Sequence, residues 1–210
     1  MKRVVLIAQL IVSILLFGCV TGQQPNIVDR EYRSPNGGFD YYIFPKGSYE
    51  EVRVLQSILP EGGNVQFIQR SQLRRIDYAN LNPTAEKQIQ DKEFRKGLIK
   101  NFTEGTLIPS ILKYAPKSIV KSSAFQETNN VPLFYVSLFL PESSYMTANG
   151  KPYDTCRCML THATTNRMFV FTVSGDVDPR DGDKYQDAFA HKEEWLKKQL
   201  SQFFDSVNIR

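Results

Sequence analysis

The chain has 210 residues, with 26 Lys+Arg against 22 Asp+Glu and a formal net charge of +4. So small an excess, scattered without a basic stripe, excludes a domain built to bind nucleic acid. With 41% hydrophobic and 12% aromatic residues, the composition is that of a folded protein with a sizeable core, and it excludes general disorder.

The first element is an export signal. Lys2 and Arg3 form a positive start, and Val4 to Phe17 form an apolar run that is short for a spanning helix and interrupted by Gln9 and Ser13. The run ends in Leu16-Phe17-Gly18-Cys19, which resembles the lipobox of bacterial lipoproteins. That resemblance implies that residues 1–18 are removed and that Cys19 becomes the first mature residue. Its sulfur would then be thioether-linked to diacylglycerol, this lipid and an acyl chain being the only groups the protein carries. Lipid chains of this kind anchor a protein without a spanning helix, each buried methylene contributing about 0.8 kcal/mol. The address is then the outside of the cell membrane, with membrane lipid as the first partner. Val20 follows the cysteine where an Asp would retain a Gram-negative lipoprotein at the inner membrane, so the expected site is the periplasmic face of the outer membrane in such a cell. An uncleaved signal anchor and an ordinary secretory signal are the alternatives. Removing residues 1–18 leaves 24 basic against 22 acidic residues.

Residues 19–38 are polar, rich in Gly and Pro and without periodicity, and read as the lipidated cysteine followed by a flexible tether. The globular domain is expected over 39–210. FDYYIFP predicts a first strand, stopped by Pro45-Lys46-Gly47. Ser48-Tyr49-Glu50-Glu51 has capping-box spacing, and Val52, Leu55 and Leu59 follow near helical period. Val52 and Val54 also alternate, which leaves a strand open. VQFIQ, after the Glu61-Gly62-Gly63-Asn64 turn, predicts a strand. Pro83 opens a predicted helix over 84–102, with Phe94, Leu98 and Phe102 stacked at four-residue spacing.

In the second half, 118–125 and 131–140 predict strands joined by a Glu127-Thr128-Asn129-Asn130 turn. The nearly all-apolar VPLFYVSLFLP predicts a strand covered on both faces. Residues 153–162 and 168–174 predict a hairpin. After GDVDPRDGD comes an amphipathic helix from about 184 to 203, with Phe189, Leu196, Leu200 and Phe203 inward, Trp195 beside them, and a terminal FDSVNIR strand.

This late order, with WLKKQLSQFFDSVNI, resembles the PsbP-like domains, extrinsic photosystem II proteins and their bacterial relatives. The resemblance implies a single α+β domain, an α/β/α sandwich on an antiparallel β-sheet. It implies an accessory or assembly role and supplies no catalytic residues.

Two constellations carry candidate chemistry. On a strand Cys156, Cys158, Leu160 and His162 share a face. Two thiols and an imidazole suit zinc, but 158 and 162 would lie ~13 Å apart. A Cys156–Cys158 disulfide across ~6.6 Å would be strained and easily reduced, which suits a redox site in an oxidising compartment. The plainest reading is two small buried apolar residues beside Leu160. In the acidic loop, Asp176, Asp178, Asp181 and Asp183 could offer oxygens to a hard cation. Arg180 at the fifth place and Gly182 at the seventh depart from the EF-hand pattern, and Asp183 also serves as a helix cap. No metal is therefore expected.

Only His162 and His191 are available as bases, and no nucleophile elbow or phosphate loop accompanies them. An enzyme would need a site converging from afar, such as His162 with the Asp loop. The run Arg70 to Arg75 is the one basic cluster, suited to anionic headgroups or a partner, or simply to solvent. The expectation is a membrane-anchored envelope lipoprotein whose domain binds or scaffolds a protein partner or small ligand without catalysis. A redox- or metal-responsive protein built on Cys156 and Cys158 is the alternative.

Overall fold

The computed structural model describes residues 27–28, 31–43, 52–69, 72–128, 131–142, 153–177 and 185–210. The signal segment, Cys19, Ser48 to Glu51, Arg70, Asp178, Asp181 and Asp183 lie outside them.

Period-2 alternation builds most of the chain. Strands β4 (Arg53–Leu59), β5 (Gly62–Gln69), β6 (Gln72–Asn80), β7 (Ile119–Thr128), β8 (Val131–Leu140), β9 (Thr155–Ala163) and β10 (Arg167–Asp176) form one seven-stranded sheet, ordered β4-β5-β6-β10-β9-β8-β7. Every neighbouring pair in it is antiparallel. A second antiparallel sheet, ordered β1-β2-β3-β11, joins β1 (Ile27–Val28), β2 (Glu31–Arg33) and β3 (Phe39–Tyr42) to the C-terminal β11 (Val207–Ile209).

The large sheet has a core on each face. On the first face, Phe169, Phe171 and Val173 of β10 and Cys156, Cys158 and Leu160 of β9 meet the small sheet and helix α4 (Tyr185–Asp205). The Tyr41 ring of β3 lies tilted 4.7 Å from Phe67 of β5 and edge-on 5.0 Å from Phe203 of α4, so one ring joins three elements. On the second face, Met168, Val170, Val136 and Leu138 are covered by α1 (Pro83–Gln88), α2 (Lys92–Phe102) and α3 (Ile108–Tyr114). β8 contributes to both cores, as its apolar run predicts. The result is the expected α+β fold, an antiparallel sheet between helical layers, with the small sheet added beside α4.

Two expectations are corrected and one open alternative is resolved. Residues 31–38 are not tether: Tyr32 is only 1% exposed, and its hydroxyl donates to buried Gln56 Oε1 at 2.9 Å. A hairpin turn through Ser34 brings this segment back, with Ser34 N–H donating to Phe39 O, and Gly38 takes a left-handed φ of 66° that other residues resist. Residues 53–59 form a strand instead of a helix, because Val54 and Gln56 pair across from Phe67 and Val65 and share their inward face. The helix through 102 is divided. Asn82 caps α1 and Asp91 caps α2, each side chain accepting from a backbone N–H three residues on. Beyond α2 a widened π turn, Thr103–Leu107, leads into α3. Pro109 has no N–H for the carbonyl four residues back, and the wider turn accommodates it. Among the described residues, no helix is long and apolar enough to cross a membrane.

Candidate functional site

Strand β9 places its chemistry as the alternation demands. Cys156, Cys158 and Leu160 enter the first core, and His162, on the same face, stands edge-on to Phe204 with ring centres 5.7 Å apart. Both cysteines are free thiols with no exposed surface. Cys158 is held in a polar seam under α4. The Tyr135 hydroxyl donates to its sulfur at 3.3 Å, and its own thiol reaches the Glu193 carbonyl oxygen at 3.9 Å. The Glu193 carboxylate accepts from the Ser137 hydroxyl and, at 3.1 Å, from Ser122.

The two thiols are polarised against each other. The Cys156 S–H held against Cys158 pulls the Cys158 pKa down, with Tyr135 adding to the effect against the burial that opposes it. Cys156 is pushed up by that same contact and then by burial. Burial also pushes Tyr135 up and lowers His162 to about 4, so His162 is neutral near pH 7. Both thiols are sealed in the core, and a buried thiol is inert until something uncovers it.

The other constellations are separated. Asp176 pairs with Thr155 at one end of the β9–β10 ladder, and His162 pairs with Phe169 near the other. Seven residues of extended strand put them ~23 Å apart, so His162 and Asp176 form no common site. Among the described residues no three His, Cys, Asp or Glu side chains gather around a metal position. The basic run is split by the period of β6. Arg75 turns to the second face, where its guanidinium grips the Asp77 carboxylate through bonds of 2.6–2.8 Å. Arg74 turns to the first face, donating from Nη1 to the Tyr41 hydroxyl at 3.1 Å and from Nη2 to Gln199 Oε1 at 3.2 Å.

Arg74 borders a shallow cleft between the two sheets that is partly open to solvent, with room for about one water molecule. Tyr41, Ile43, Val52 and Phe67 form apolar walls, and Gln72 and Arg74 form a polar side. Two donors there, Arg74 Nε and Gln72 Nε2, are buried without an acceptor. Sequence reasoning marked Arg74 only as part of a charge run and missed Gln72, because β6 itself was not recognised. The alternation of Leu73, Arg75 and Asp77 against Arg74, Ile76 and Tyr78 was the signal available.

No family model and no curated protein matches the chain. Among solved structures it is similar to cyanobacterial PsbP (CyanoP) from Synechocystis sp. PCC 6803, at 10% identity and a TM-score of 0.48, covering 90% of this chain and 99% of that one. It is also similar to a point mutant of the protein Mog1, at 10% identity and a TM-score of 0.45, covering 82% of this chain and 91% of that one. Likeness of this degree assigns no role to any residue.

Proposed function

We propose that this chain is a lipid-anchored protein of the cell envelope whose domain binds or scaffolds a protein partner or small ligand without catalysing a reaction. One observation carries the non-catalytic part. Cys156, Cys158 and His162, which share one face of β9, are used in packing beneath α4. Leu16 to Cys19 support the anchor, on the periplasmic face of the outer membrane where the cell has one.

Crosslinking in living cells, followed by mass spectrometry, tests this by comparing the native chain with Cys19→Ala. The expected result is native protein in the membrane fraction, joined to a specific envelope partner, and a Cys19→Ala protein that leaves the membrane and loses that partner. No partner for either chain, or the same set for both, counts against an anchored adaptor.

A second reading is a redox-responsive protein built on Cys156 and Cys158, two free thiols on one face of β9. It requires α4 to move away before either sulfur can react.

A further inference from the structure

We infer that His162 is an acid-sensitive latch on the C-terminal segment, and that protonation of its imidazole frees Phe204 and β11 from the rest of the domain. β11 is the edge strand of the small sheet, so its departure bares β3. An unpaired strand edge is a ready template for another strand.

His162 is the last residue but one of β9 and is 7% exposed. Several elements close on it. β10 sets Phe169 opposite it, β8 presents the Pro132 carbonyl, and α4 brings the Phe204 ring edge-on at 5.7 Å. Phe204 is in turn edge-on to Phe171 at 5.1 Å. From α2 comes Arg95, the ionic group that acts on the imidazole, with its Nε tied to the Ile89 carbonyl at 3.0 Å. Beyond Phe204 the hold on the chain is short. Val207 to Ile209 pair with β3, and Arg210 bonds the Gly38 carbonyl through its N–H and Asp40 through its guanidinium. A terminal segment held in this way opens without the core.

A neutral imidazole has one donor and one acceptor nitrogen, whereas an imidazolium has two donors. Nδ1 of His162 is buried with no hydrogen-bond partner. In the closed domain an added proton finds no acceptor there, and a second cation joins Arg95. Burial lowers the His162 pKa to about 4, the Pro132 carbonyl opposing this and Arg95 adding to it. Once Phe204 leaves, the ring meets water and returns to its ordinary value of 6.5. A histidine pKa depressed in the closed state holds the latch fully above about pH 6.5 and loosens it as the pH falls toward 4. With these two values, opening rises about 20-fold between pH 7 and pH 5.

Hydrogen exchange of the full chain in nonionic detergent, at pH 7 and at pH 5 and corrected for the intrinsic rate, tests this. The expected result is about 20-fold more frequent opening of the Phe204 to Ile209 amides at pH 5, with the β8 and β10 amides unchanged. The ring signals of His162 should stay those of a neutral imidazole over the same interval. His162→Gln cannot take up the proton, so its terminal amides should open equally at both pH values. Arg95→Gln keeps the imidazole and removes the facing cation, so it should reduce the change, and it serves where His162→Gln fails to fold. An unchanged terminus at pH 5 overturns the latch, and so does the same change retained in His162→Gln. A His162 ring half-protonated near pH 6.5 in the closed domain, or protection lost evenly through β8 and β10, also overturns it.

Discussion

Asp77→Ala is expected to destabilise the fold by about 3–5 kcal/mol, the range for removing one partner of a buried ion pair. Asp77 is 1% exposed on the second face of the large sheet and lies under two guanidiniums, those of Arg75 and Arg157. Burial pushes its carboxyl up, and the charge and hydrogen bonds of Arg75 pull it back, with Arg157 helping. Arg157 is itself lowered to about 10, chiefly by burial and then by the like charge of Arg75, with Asp77 opposing both. The Nε of Arg157 has no hydrogen-bond partner, so the nearby Asp77 charge is what offsets its burial. Taking the carboxylate away leaves two part-buried cations without their shared counter-charge. Urea unfolding checks this. With a slope of about 1–3 kcal/mol per molar, the midpoint should fall by more than about 1 M. Adding Arg157→Met should recover part of the loss. A fall below a few tenths molar for Asp77→Ala would show that the carboxylate does not hold the two arginines in place.

Leu196→Ala is expected to cost about 2–5 kcal/mol through the cavity it opens. Leu196 is fully buried on the inner side of α4, between Ala188 and Phe189 one way and Leu200 and Phe203 the other. It packs over Gly175 of β10, where an added Cβ would meet Leu196 Cδ2 at 3.7 Å. The helix cannot settle to close the gap, because Phe203 is fixed between Tyr41 and Phe171 at its far end. Trp195 is the control on the same turn. It is 46% exposed, with Lys192 Nζ 5.1 Å from its ring centre, and truncating it should change stability by less than about 1 kcal/mol. Equal losses at the two positions would mean that the inward face of α4 is misassigned.

The sequence made the second half legible because its signals are local. The apolar run of β8, the β9–β10 hairpin and the Phe189-Leu196-Leu200-Phe203 stripe can each be read within one element. Cys156, Cys158 and His162 were placed on one face by period alone. The first half was harder to read. Tyr32 is buried by β5, and Gln56 is buried through its bond to Tyr32, 24 residues away, so neither is explained by its own segment. In β6 two adjacent arginines hid a central strand: Arg75 pairs with Asp77 on the same strand, whereas the partners of Arg74 lie on other elements. The cleft combines the greatest separations, since Arg74 meets Tyr41 across 33 residues and Gln199 across 125. No spacing within a segment reports contacts of that kind.

Thiol titration of the native, oxidised full chain with an aromatic disulfide reagent tests most directly whether its chemical groups are given over to packing. Sealed under α4, Cys156 and Cys158 should not react in the folded protein, and both should react as free thiols once urea unfolds it. Rapid reaction in the native state, or two thiols missing from the unfolded count, would contradict a purely binding domain and favour the redox reading.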